Sequence, residues 1–76
     1  LKSSSRVDLV LGEKAHAFEE VSGVFRDHRA EIISVGMSNH KDRKKRVYYF
    51  RLGKCRLYPI AASLREKGYK VISVTE

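Results

Sequence analysis

Six short stretches of this chain each keep one hydrophobic period, and the order in which the periods change leaves few folds open. Val7, Leu9 and Leu11 alternate with Arg6, Asp8 and Val10, the two-residue repeat of a half-buried strand. From His16 to His28, Ala17, Phe18, Val21, Val24 and Phe25 recur at the spacing of one helix face, with Glu19, Glu20, Arg26 and Asp27 around it. Ile32 to Ser38 alternates again, with Ile33, Val35 and Met37 on one side and Ile32, Ser34, Gly36 and Ser38 on the other. After Asn39 to Lys45, the stretch Arg46 to Leu52 is rich in the β-branched and aromatic residues that suit a pleated surface. Pro59, whose fixed φ and missing N–H fit a first helical turn, precedes the apolar stripe Ile60, Ala61 and Leu64. Gly68 is placed to cap that helix in the left-handed conformation, and Val71 to Val74 closes the series.

Strand, helix, two strands, helix, strand is the split βαβ plan of the ferredoxin-like folds. The expected class is therefore α/β in the sense of an α+β sandwich: a four-stranded antiparallel sheet with two helices on one face. Gly23 sits inside the first helix, where it costs about 1 kcal/mol relative to Ala, which points to close packing against the sheet. Residues 1–5 read as a polar linker, because Lys2-Ser3-Ser4-Ser5 lacks apolar periodicity, and residues 6–76 as one domain. A domain of this size buries only about 60% of its unfolded surface, so the uncovered sheet face needs a partner. The expectation is a homodimer formed through the sheet, by way of Val10, Ile32, Val47 and Tyr49.

The composition argues against several activities. Cys55 is the one cysteine, so neither an internal disulfide nor a paired-thiol metal site is possible, and the plain reading is a free loop thiol between Lys54 and Arg56. His16, His28 and His40 fall in three different turns, without the spacing of a metal site. No triad, carboxylate pair or glycine-rich phosphate loop is spaced to name a reaction, so neither an enzyme nor a cofactor is expected. No stretch nears the roughly 20 apolar residues of a membrane span, and together with the cysteine content this places the chain in the cytoplasm, away from membranes.

Sixteen basic and nine acidic residues leave a net charge of +7, and five of the cations lie in the six residues Lys41-Asp42-Arg43-Lys44-Lys45-Arg46. Lys41, Arg43, Lys44, Lys45 and Arg46 are a candidate contact for an anion or a nucleic acid, since cations that neutralise phosphates release counterions whatever the sequence bound. The plainer reading is a solvated hairpin loop that discourages edge-to-edge pairing. A domain that recognises RNA through such a sheet stacks bases on aromatics of its first and third strands. Here the open face offers only Tyr49 for stacking, and Asp8 repels phosphate. Nucleic acid is accordingly not the expected partner, and any RNA binding is weak and driven by the basic loop. An RNA-recognition-like domain stands as the alternative function.

The wording between the first helix and the second strand, Val24-Phe25-Arg26-Asp27-His28-Arg29-Ala30-Glu31-Ile32-Ile33-Ser34-Val35, resembles an ACT domain. The likeness is to the kind found C-terminal to CBS pairs in proteins of the acetoin-utilisation type. There Arg46 to Leu52 matches the third strand, and Leu64 to Val71 matches the end of the second helix with the strand that follows. The resemblance runs from Val7 to Val74 and implies a regulatory module of a larger, CBS-containing protein. Such a module binds an amino acid or similar effector between two copies.

It also implies an effector site on Gly12, Glu13, Lys14, Ala15, His16 and Ala17. Where the family has an acid, one residue and then Pro-Gly, this chain has Glu13, Lys14, Ala15 and His16; where the family has His-Gly after the helix, it has His28-Arg29. With Pro-Gly replaced, ordinary amino acids are expected to bind poorly, while Lys14 and His16 admit an anionic or nucleotide-like effector.

Overall fold

A computed structural model describes residues 4–12, 15–38 and 46–76 of the chain. Its elements run β1 (Ser4–Val10), α1 (Ala17–Asp27), β2 (Ile32–Ser38), β3 (Val47–Gly53), α2 (Leu57–Glu66) and β4 (Lys70–Thr75). One antiparallel sheet holds the strands in the order β2-β3-β1-β4, the ferredoxin-like arrangement anticipated from the periodicities.

The strand alternation decides which side carries the helices. Val7 pairs with Phe50, Leu9 with Tyr48 and Ser5 with Leu52, and this face supplies the core together with Val21, Val24 and Phe25 of α1 and Leu57, Ile60 and Leu64 of α2. Phe25 and Phe50 meet at 4.9 Å between ring centroids, tilted by 56°. Leu57, outside the stripe read from the sequence, is fully buried.

β1 begins two residues earlier than the sequence suggests, so Ser4 and Ser5 belong to the strand and not to a linker. Burying Ser5 is tolerable because its hydroxyl accepts from the Cys55 N–H at 3.2 Å and donates to the Cys55 carbonyl at 3.3 Å. That pair of bonds also fastens the turn leading from β3 into α2.

Both helices end in Schellman turns. At the end of α2, Tyr69 N–H donates to the Leu64 carbonyl and Gly68 N–H to that of Arg65, with Gly68 at φ +95° as expected. At the end of α1, Ala30 N–H donates to Phe25 and Arg29 N–H to Arg26, with Arg29 in the left-handed position at φ +57°. Tyr69 Oη donates to Glu20 Oε1 at 2.5 Å, tying the start of β4 to α1, and His28 Nε2 lies 3.3 Å from Ser63 Oγ between the helices.

Three expectations change. Ile32 stands opposite Leu52, on the helix-side register, because a bulge between Ile32 and Ser34 adds a residue to β2; it leaves the open face. Val47 is already buried, so of the four residues expected to pair two copies through the open face only Val10 and Tyr49 remain there half-exposed. Gly23 does not pack closely on the sheet: a Cβ there would meet only Arg26 Nη2, at 3.7 Å.

Exposed aliphatic surface gathers on the edge strands, most on β2, where Ile33 is 52% and Met37 60% exposed and residues 32–37 lie outside the buried core. β2 carries no charge and no proline. The opposite edge, β4, is interrupted by a bulge facing Asp8 and Leu9 and begins with Lys70, two features that discourage strand addition.

Candidate functional site

The loop between β1 and α1 and the start of β3 meet at one end of the sheet. The register sets this: Val10 pairs with Val47, so the next residue out on each strand is Leu11 beside Arg46, and Leu11 N–H donates to the Arg46 carbonyl at 3.0 Å. Leu11, Gly12, His16, Ala17, Phe18, Arg46 and Tyr48 line a cleft there of about 180 Å³. The structure thus brings Gly12, His16 and Ala17 of the expected effector loop together with Arg46 of the basic run. Ala15 is exposed in the turn beside them. Glu13, Lys14, Lys41, Arg43, Lys44 and Lys45 lie outside the described residues.

His16 occupies the residue before α1 with φ +61° and ψ +21°, a left-handed conformation that glycine adopts without strain. Its carbonyl accepts the first helical bond, from Glu20 N–H at 3.0 Å, while its side chain turns outward so that Nδ1 lies 2.8 Å from Glu19 Oε1. The His16 side chain does not cap the helix start, which leaves backbone N–H groups of the first turn to other partners. Glu19 and Glu20 in that turn offset the positive end of the helix, yet each has an engagement of its own, with His16 and with Tyr69.

The apolar wall comes from Phe18 and Tyr48, whose rings make an edge contact at 6.3 Å. Sequence periodicity puts Phe18 on the core-facing side of α1, but it is 45% exposed at the margin of the helix layer. The antiparallel register of β1 and β3 is the signal that would have put Tyr48 and Arg46 beside the loop. A cation, an imidazole and backbone N–H groups beside an aromatic wall suit a small anion carrying a flat or apolar part. The volume is below the several hundred Å³ typical of a drug-sized ligand, so an enclosed ligand is a small one.

Among the described residues no three His, Cys, Asp or Glu side chains gather where they could hold a metal ion, and no helix is long and apolar enough to cross a membrane. Arg29 and His16 are the two non-glycine residues with positive φ among those described. A scan against protein-family models matches none, and a search of curated proteins finds no match.

Proposed function

We propose that this chain is an ACT-like regulatory module of a larger, CBS-containing cytoplasmic protein, sensing a small anionic or nucleotide-like effector and pairing with a second copy through its sheet. The observation that carries the reading is the positive φ of His16 and Arg29. A left-handed backbone at the two positions where the resembled pattern has glycine is what supports the likeness, since glycine is the residue that adopts it without strain.

The effector reading is supported by the cleft at Gly12, His16, Ala17 and Arg46, with Lys14 within the same loop in sequence. The pairing reading is supported by β2, an uncharged, largely exposed edge whose free N–H and C=O groups suit an antiparallel copy of itself. Pairing along this edge joins two sheets into one of eight strands and covers Val35 and Met37.

Amide chemical-shift mapping with a panel of amino acids and nucleotides tests the site, and sedimentation equilibrium tests the pairing. The expected results are shifts clustered on Gly12 to Ala17 and Arg46 with an anionic ligand, and a dimer that Val35→Lys converts to monomer. A wild-type monomer at high micromolar concentration, with no panel member perturbing the loop, overturns the proposal.

A further inference from the structure

The open face of the sheet is a second surface, remote in character from the cleft. Alternation places Arg6 and Asp8 of β1, Ser34 and Gly36 of β2, Tyr49 and Arg51 of β3, and Ser73 and Thr75 of β4 on this side, and Lys70 joins them opposite Val10. Small residues at Ser34 and Gly36 keep the β2 side low. The Tyr49 ring lies across the Gly36 backbone so closely that a Cβ at position 36 would come within 2.2 Å of Tyr49 Cζ. The Arg6 guanidinium sits 4.5 Å from the centroid of the same ring. Asp8 fixes that guanidinium with two bonds, Nε to Oδ1 at 2.8 Å and Nη2 to Oδ2 at 3.2 Å, while the Arg6 side chain stays 47% exposed.

These contacts change the balance read from sequence. Asp8, which by itself repels phosphate, has its charge answered by Arg6, and Arg6 adds a guanidinium plane to the stacking surface of Tyr49. Arg51 and Lys70 then stand as exposed cations on either side of the stack. The face therefore carries two exposed cations, Arg51 and Lys70, beside the Arg6–Asp8 ion pair. A second copy laid on it would set like charges against each other, whereas a polyanion with flat bases is complementary.

We propose that this face binds single-stranded nucleic acid, with bases stacked on Tyr49 and Arg6 and phosphates held by Arg51 and Lys70. Four strands span about 14 Å across the sheet, room for two or three nucleotides.

The test is fluorescence anisotropy of a labelled oligouridylate with the 76-residue chain across a salt series. Four variants accompany it: Tyr49→Ala, Tyr49→Phe, Gly36→Ala, and a loop variant with Lys41, Arg43, Lys44 and Lys45 all changed to Ser. The proposal expects binding that weakens with salt, is about tenfold weaker in Tyr49→Ala, and is retained in Tyr49→Phe. The loop variant is expected to bind less tightly but to keep its dependence on Tyr49. Gly36→Ala, which forces the ring aside without removing it, is expected to weaken binding like Tyr49→Ala. If either Ala variant fails to fold by its amide spectrum, wild-type shifts decide, and the proposal requires them at Arg6, Asp8, Gly36 and Tyr49. It is overturned by no binding at low salt, by equal affinity for duplex, or by binding that the loop variant abolishes while Tyr49→Ala leaves it intact.

Discussion

The left-handed turn at Arg29 is a cost this chain carries at a single residue. A side chain at φ +57° costs on the order of 1 kcal/mol, and here only the two Schellman bonds, from Ala30 and Arg29 to the carbonyls of Phe25 and Arg26, hold it in place. Arg29→Gly should therefore stabilise the domain by about 0.5 to 1 kcal/mol, raising the melting temperature by a few degrees, a shift readable by circular dichroism. Tyr69 gives a pH prediction of definite sign. Burial, followed by its hydrogen bond to Glu20, pushes the phenol up to about 12 from its ordinary value of 10.0. Between these values the unfolded chain releases a proton that the folded chain keeps, so stability is intact below pH 10 and falls as pH rises toward 12. Tyr69→Phe should flatten that alkaline slope and cost about 1.5 kcal/mol at neutral pH, through loss of a bond to a carboxylate. Chemical denaturation across pH measures both. These two residues also mark the limit of the sequence reading. The wording His28-Arg29 was visible in the sequence, but the left-handed φ of Arg29 was not, because arginine is not a residue type that signals that conformation.

At the scale of elements, hydrophobic period located all six, since each strand and helix has one face against the core and the period records it. What period does not record is a bulge. The extra residue in β2 moved Ile32 across the sheet, and the one in β4 set Leu9 opposite Val71 and Asp8 opposite Ser73 with Ile72 between. Likewise, apolar residues at a helix margin read as core, which is why Phe18 was missed as part of the cleft wall. Helix α1 offers a clean test of packing against propensity. Gly23 has room for a methyl group, its nearest obstacle being the flexible end of Arg26, so the helical cost of glycine is not offset by any close contact. Gly23→Ala should stabilise by about 1 kcal/mol in thermal melts. A loss of stability instead would mean that the neighbourhood of residue 23 is tighter than its 3.7 Å contact indicates.

For the molecule as a whole, the sheet order makes the two ends of the chain interdependent. β1 lies between β3 and β4, so the first strand is incomplete until the last one arrives, more than 60 residues later in sequence. β4 does more than close an edge. Val71 packs against the core, Tyr69 at its entrance bonds to Glu20, and Glu76 Oε2 accepts the Leu57 N–H at 2.7 Å at the start of α2, where no side chain of the preceding residues caps the helix. A chain cut after Gly68 loses the cap, the tyrosine bond and one of the three strand ladders together. A cap is worth about 1 kcal/mol, a bond to a carboxylate about 1.5 kcal/mol, the buried Tyr69 side chain about 2 kcal/mol and the half-buried Val71 about 1 kcal/mol. Their sum of about 5.5 kcal/mol falls within the whole stability expected of a domain this size, about 4 to 11 kcal/mol. Truncation after Gly68 is accordingly expected to abolish cooperative folding, seen as collapsed amide dispersion, whereas Glu76→Gln should lower the melting temperature by only a few degrees because a neutral amide oxygen still accepts from Leu57. If the truncated chain melts cooperatively, β1, β3 and β2 form a self-sufficient sheet, and β4 serves to shield its edge.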